Sequence, residues 1–377
     1  MEHTKKVEMF QASSSNNDFL RNGMQHLVQD ALNAAFDRFI GVDKYERSDE
    51  RHGSRNGSYE RGLNTRVGSL TLKVCRDREG KFHPALFERY QRSEKALVLS
   101  ITEMYLHGVS TRKVGDIAET LCGFTLSKDQ VSDMTKQLDV VLEKWRTRDL
   151  VVDYQYLEFD ARYEKVREDG RVISKAFVTA IGITVEGMRE IIGCYVINSE
   201  SFEEWDACFA SLKKRGLKGV IYVVSDENAG LRAALKKHFQ SVLLQRCQVH
   251  FMRNFTAKLA KSEQAEGVKL LQNIFAASSK KEALVRIQPL RTFLCDHKKE
   301  NVVQWLEDSI EDTLMVYELP ETHHKKMKST NMIERFNQEL KRRSRVVRIF
   351  PNEASCLRLL SALCMEQSEE WDGKRYL

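Results

Sequence analysis

Three carboxylates stand where the surrounding pattern does not ask for charge. Asp160 closes the apolar run YLEFD, and Asp226 closes VIYVVSD. Alone, each reads as a cap or turn former at the end of a strand. As a pair they say more, because the carboxyl ends of strands in a mixed α/β sheet line the crevice where ligands sit. Glu334 lies one turn into STNMIERFNQELKRRSRVVR, with Asn331 and Gln338 on the same helical face at i−3 and i+4. Its basic neighbours Lys328, Arg335, Lys341, Arg342 and Arg343 allow a plain reading, an ion-pair partner on a solvated face. The chemical reading is sharper: three acids gathered at neutral pH need a cation, and hard oxygen ligands call for Mg²⁺ or Mn²⁺. Two such ions activate a hydroxyl nucleophile and stabilise the leaving oxygen of a displacement at phosphorus. Arg342, Arg343 and Arg345 are then expected to grip the phosphates of a nucleic acid.

Cys247 and His250 form a CxxH pair, which with His323 and His324 would offer four ligands for zinc. Zinc is disfavoured, since two adjacent histidines do not easily reach one ion. Cysteine-protease chemistry is weaker still, because i and i+3 on a helix do not align a thiol and an imidazole on a substrate. Trp305, within VVQWLEDSI, reads as a core residue; the alternative is a stacking platform for an unpaired base. Trp371 is expected to anchor the last helix.

The elements that must hold these groups follow from periodicity. Residues 1–19, including QASSSNNDF, read as a flexible tail. Leu20, Met24, Leu27, Val28, Leu32 and Phe36 then recur at helical spacing. SLTLKVCR alternates as a strand or hairpin. Over 94–145 the helical period returns, with Ser110 and Ser127 as N-caps and a break at CGFTLS, a pattern compatible with a helix-turn-helix or with a plain helical bundle. From 153 to 245 the order is three strands, helix, strand, helix, strand, the order of an RNase H-like mixed α/β sheet. Residues 248–325 lose the strand signal and read as a helical insertion. The chain thus divides into a tail (1–19), a helix-rich N-terminal region (20–148) and a catalytic domain (149–377).

Charge supports a polyanionic partner. The net charge of the 377 residues is only +6, but 51–92 and 321–348 each carry a local +6, leaving the remainder mildly acidic. A hydrophobic share of 42% excludes disorder over most of the chain. No apolar stretch reaches the length of a membrane span or resembles a signal peptide, so the expected location is cytoplasmic and the eight cysteines are expected to stay reduced.

The segments RNGSYERGLNTRVGSLTLKVCRDREGKF, GVSTRKVGDIAETL, LEFDARYEKVRE, VVSDENAGLRAAL, QRCQVHFMRN and STNMIERFNQELKRRSRVVRIFPN resemble, in order, the motifs of mutator-type transposases of bacterial insertion sequences. The resemblance runs from about residue 20 to the C-terminus. It implies an RNase H-like core with a helical insertion, preceded by a DNA-binding region, and an acidic triad at Asp160, Asp226 and Glu334 that holds two metal ions. It also implies that Cys247 and His250 lie close to the active site, packing its core or positioning DNA. One departure is visible: Cys75 stands where the family pattern has proline. The function implied is metal-dependent cleavage of double-stranded DNA at terminal inverted repeats, followed by transfer of the released 3′-hydroxyl to target DNA. The resemblance further implies a homo-oligomer, a dimer or larger, that synapses two ends, often through a circular intermediate, in a bacterial, nucleoid-associated setting. In the N-terminal region Arg55, Arg76, Arg78, Arg112 and Lys113 are the expected DNA contacts. A nuclease on the same core and a non-catalytic DNA-binding regulator are the alternatives.

Overall fold

The computed structural model describes residues 2–41, 52–84, 95–122 and 124–377. Arg51, Arg89 and Arg92 of the first basic segment lie outside them. The chain divides into two units, Met1–Gln137 and Leu138–Leu377.

In the first unit, the alternating run forms β2 (Gly68–Asp77), which pairs antiparallel with β1 (Arg55–Thr65) around a two-residue turn. Alternation turns Leu70, Leu72 and Val74 to one face, where they bury against Leu32 of α1 (Glu2–Ile40). Gln29 of α1 clamps the strand, donating Nε2–H to the Lys73 carbonyl and accepting the Lys73 N–H, both at 2.8 Å. Cys75, the departure from the family pattern, packs beside Phe36 and Ile40, and β2 continues through it. The expected tail is corrected: α1 runs unbroken from Glu2. Nothing in QASSSNND is Gly or Pro, so once the packed half of the helix exists, propagation through weak helix formers costs little per residue.

The second part of this unit gathers α2 (Lys95–Leu106), α3 (Thr111–Cys122) and α4 (Lys128–Thr135) around Ile101, Val114, Leu126 and Val131. Both expected caps form. Ser110 Oγ accepts the Lys113 N–H at 3.3 Å, and Ser127 makes a reciprocal capping box with Gln130.

The second unit begins earlier than the sequence indicated, at residue 138 rather than 149. The reason is α5 (Leu138–Arg146), whose Asp139 takes both arms of the buried Arg358 at 2.6 and 2.8 Å. That tie fastens α5 to α15 (Glu353–Trp371). The five-stranded sheet has the order β5-β4-β3-β6-β7. Strands β3 (Tyr154–Glu168), β4 (Arg171–Thr184) and β5 (Arg189–Ile197) form an antiparallel meander. Strands β6 (Tyr222–Ser225) and β7 (Leu243–Arg246) run parallel to β3. Against one face lie α6 (Phe202–Lys214) and α7 (Ala229–His238), whose Trp205, Phe209, Leu231 and Leu235 bury with Leu157 and Phe159. Alternation along β3 then turns Glu158 and Asp160 to the opposite face, toward α14 (Asn331–Ser344).

Between β7 and α14 the chain is helical: α8 (Gln248–Ala257), α9 (Lys261–Phe275), α10 (Lys280–Val285), α11 (Ile287–Asp296), α12 (Glu300–Ser309), two 3₁₀ turns and α13 (Glu321–Met327). This insertion has its own core of Phe251, Phe255, Leu271, Leu290 and Leu306.

The loop that carries Asp226 ends in a tight crossing. A Cβ on Gly230 would sit 2.5 Å from the Glu200 carbonyl oxygen and 2.8 Å from the Phe202 nitrogen. Because those neighbours are backbone, Gly230→Ala is expected to push α7 off the start of α6 and cost about 1–3 kcal/mol. Thermal denaturation would read this as a lowered midpoint, and an unchanged midpoint would show that the crossing is not tight.

Candidate active site

Strand register brings the first two acids together. Parallel pairing of β3 with β6 matches Tyr156 to Tyr222 and Glu158 to Val224. Two residues beyond that last pair, Asp160 is still within β3, whereas Asp226 is the first residue past the end of β6. Asp160 does not end its strand, as the sequence suggested, because β3 continues along β4 to Glu168. What ends just before Asp160 is the parallel pairing with the short β6.

The Asp226 Oδ1 accepts the Glu227 N–H at 2.7 Å, and Asn228 next to it caps α7. The Asp160 Oδ2 accepts from Asn337 Nδ2 at 2.7 Å, and its Oδ1 accepts the Ala161 N–H at 3.0 Å. Asn337 stands one turn beyond Glu334, so the bond to Asp160 directs the Glu334 face of α14 at the sheet. Glu334 is held by Arg253 through two N–H donors at 3.2 and 3.0 Å, and His250 Nε2 lies 3.4 Å from it. On the other side His250 Nδ1 lies 4.0 Å from Asp226 Oδ1. A single imidazole therefore sits between the second and third acids.

Electrostatics record the crowding. Burial pushes the Asp160 carboxyl up to about 6; His250 and Asn337 pull against this, and the Glu334 charge adds to it. His250 is pushed up to about 9, first by its hydrogen bond with Cys247 and further by Asp226 and Asp160. Burial raises the Cys247 thiol, but hydrogen bonds from His250 and Thr330 outweigh it and hold the group below its ordinary value. Glu158, on the Asp160 face, is fully buried, and neither of its oxygens has a hydrogen-bond partner. Burial drives its carboxyl well above the ordinary range.

The remaining candidates separate clearly. Cys247, His250 and Glu334 bring one donor atom each within 4.8 Å of one another. His323 and His324 are engaged elsewhere, with Tyr156 Oη at 3.0 Å and the Leu319 carbonyl at 2.8 Å, so the four-ligand zinc set does not assemble. Trp305 stacks on Phe251 at 4.6 Å and is flanked by Arg246 and Lys258, which makes it a core residue of the insertion. Trp371 buries against Phe336 and anchors α15. Arg343 is not presented to solvent: its side chain is 12% exposed and tied to Glu339 and Glu366. Arg342 is exposed but paired with Glu339, and Arg345 is exposed at the C-terminal end of α14. In the first unit Arg55 pairs with Asp37 at 2.7 Å and Arg76 lies 4.4 Å over the Tyr59 ring, while Arg78, Arg112 and Lys113 are exposed. Asn331 is exposed at the first turn of α14, and the residue that reaches Asp160 is Asn337. Both Asn337 and Arg253 went unnamed in the sequence, although each lies three residues beyond a named one, Glu334 and His250.

The acids fit a divalent cation on their own chemistry. Asp160 is half-buried beside a like charge, with a raised affinity for protons, and the oxygen donors are hard. The folded-state value near 6 lies above the ordinary 3.8, so this group favours folding below about pH 4 and loses that contribution as pH rises through 6. A cation that needs the ionised carboxylate should therefore stabilise the chain at about pH 7.5 and much less at about pH 5. Equal Mg²⁺-induced midpoint shifts at the two pH values would rule out Asp160 as a ligand.

The fold and site define a mixed helix/sheet protein in which His250 stands between Asp226 and Glu334, and Asp160 is tied to the helix that carries Glu334, beyond the end of a short parallel strand pair. The chain belongs to the Mutator family of transposases, whose profile matches residues 1–374. It is 44% identical over 366 residues to the transposase for insertion sequence element ISRM5 of Rhizobium meliloti, covering 96% of this chain and 91% of that one. It is 41% identical to the transposase for insertion sequence element IS256 in transposon Tn4001 of Staphylococcus aureus, covering 99% and 97%. Among solved structures, the Drosophila P element transposase strand transfer complex aligns over 78% of this chain and 84% of that one at 12% identity, with a TM-score of 0.31, too low to carry an argument about fold. No helix among the described residues is long and apolar enough to cross a membrane.

Proposed function

We propose that this chain is a DNA transposase that binds the terminal inverted repeats of an insertion sequence, cleaves there in a metal-dependent reaction and joins the released 3′-hydroxyl to target DNA. The observation that carries the reading is that His250 lies 4.0 Å from Asp226 and 3.4 Å from Glu334, while Asn337, one turn beyond Glu334, is bonded to Asp160. The strand order supports an RNase H-like core. Asp160, Asp226 and Glu334 would hold two Mg²⁺ or Mn²⁺ ions, which when bound supply Lewis acidity for activating a hydroxyl and stabilising the leaving oxygen. Asn337 fixes the rotamer of Asp160. His250 and Arg253 keep Glu334 aimed into the crevice, and no protein nucleophile is required. End recognition falls to the N-terminal region, through Arg76, Arg78, Arg112 and Lys113, and joining two ends calls for at least a dimer.

The test is a strand-transfer assay with Mg²⁺ and labelled element ends. Joined product supports a transposase. Cleavage without joining would make the chain a nuclease, and binding without cleavage a regulator.

A further inference from the structure

The second unit contains a cavity of about 530 Å³ behind the first turn of α14, on a different face of that helix from Glu334. Four cations line it: Arg189 from the start of β5, Lys325 and Lys326 from α13, and Arg335 from α14. Its lining acid, Glu339, is already taken by Arg342 and Arg343 at 2.7 and 2.8 Å. Among the described residues none of the four cations has an acidic partner within salt-bridge distance, while Lys326 Nζ donates to the Tyr376 carbonyl and lies 4.6 Å over its ring. Arg189 is half-buried, held 4.5 Å over the Trp371 ring and 4.6 Å over the Tyr376 ring, with Nη1 3.3 Å from Met332 Sδ. Its Nε is buried with no hydrogen-bond partner; the buried acid Glu158 lies close enough to act on it electrostatically but makes no bond to it, and burial drives that carboxyl well above the ordinary range, toward its neutral form. Keeping a guanidinium without a bonded counter-ion in a partly desolvated cavity is costly unless an anion joins it.

A second feature adds to the same field. The cavity wall includes Ser329, just before the N-cap of α14, and Asn331 and Met332 of its first turn. Thr330 at the N-cap makes no capping bond, because its hydroxyl goes to Cys247 Sγ at 3.4 Å. The first amide groups of a 14-residue helix thus add partial positive charge beside four basic side chains.

We propose that this cavity is a phosphate subsite for the nucleic-acid strand that reaches Glu334, engaging backbone phosphates to one side of the reacting one. The inference rests on the DNA-processing reading above. A phosphodiester fits the charge, the planar guanidinium donors and the position, since Arg335 directly follows Glu334 in α14. A duplex held there would be anchored by the same helix that presents the third acid, which explains why the second basic segment extends upstream of Glu334 to Lys325.

The test uses the full chain and the double variant K325Q/R335Q. Both side chains are exposed, so the thermal midpoint should hold. The control is K281Q/K298Q, an equal loss of charge on exposed positions of the insertion. Binding to labelled duplex is measured over a range of salt. Loss of two phosphate contacts is expected to reduce the slope of log affinity against log salt by about 1.8 and to weaken binding at physiological salt about tenfold or more, with the control close to the parent chain. An unchanged slope, or an equal change in the control, overturns the subsite. Inorganic phosphate provides the second arm: if it stabilises the parent chain saturably and not the double variant while DNA slopes are equal, the cavity takes free phosphate and the DNA assignment falls. Absence of all DNA binding would sink both this subsite and the transposase reading. Binding with the expected slope change but no cleavage would sink only the transposase reading.

Discussion

Glu334→Gln is expected to lower both DNA cleavage and strand joining by at least about 10³-fold, the scale of losing several kcal/mol of stabilisation at the reacting phosphorus. Gln keeps the volume and the polar contacts of Glu334 but not its charge, so a divalent cation loses one of three anionic ligands. Folding should survive because, of the two partners left behind, Arg253 is 60% exposed, where a solvated ion pair contributes little, and His250 still faces Asp226. Binding to element ends should also survive, since an acid is not what holds phosphates. The measurement is the Mg²⁺ strand-transfer assay beside a binding assay on the same preparation. Residual activity within tenfold of the parent chain would remove Glu334 from the site, whereas loss of end binding would show that the substitution damaged the helix instead.

Asp139→Ala is expected to destabilise the second unit by about 3 kcal/mol, although Asp139 lies outside the domain that periodicity delimits. The Arg358 side chain is 5% exposed, and both its arms end on Asp139. Removing the acid leaves a buried guanidinium without a counter-ion, which costs more than the pair itself contributes. The figure sits at the low end for buried pairs because Asp139 is half exposed. Denaturant unfolding of the full chain should show the loss in the transition that reports on Trp205, and an unchanged transition would return α5 to the N-terminal side of the boundary. The double variant D139A/R358M should recover part of the loss, since an apolar replacement removes the stranded charge.

These expectations differ in how far the linear chain announced them. Glu334 stood out because an acid in a basic amphipathic helix needs a reason, and Asp160 and Asp226 because charge interrupts apolar strands. Glu158 was equally visible in YLEFD but passed as part of the run; only its burial sets it apart. Arg343 was legible as basic and was read as a phosphate contact, yet Glu366, contributed by α15, claims it. Partners distant in sequence cannot be read from local charge, and the same holds for Asp139 with Arg358.

Strand alternation, helical period and cap residues are local, and they determined which segments become strands and helices, where Ser127 caps α4, and that Asp160 and Phe159 face opposite ways. Register and packing are not local. Only the tertiary structure decided that β3 and β6 pair in parallel with Glu158 opposite Val224, two residues short of Asp160 and Asp226. The same holds for His250, which comes to stand between Asp226 and Glu334, and for the cations of α13, α14 and β5, which converge on one cavity without a salt-bridge partner among the described residues. A pairing register depends on every contact across the sheet at once, and a cavity on what three distant segments leave unfilled, so neither leaves a trace in the residues taken one after another.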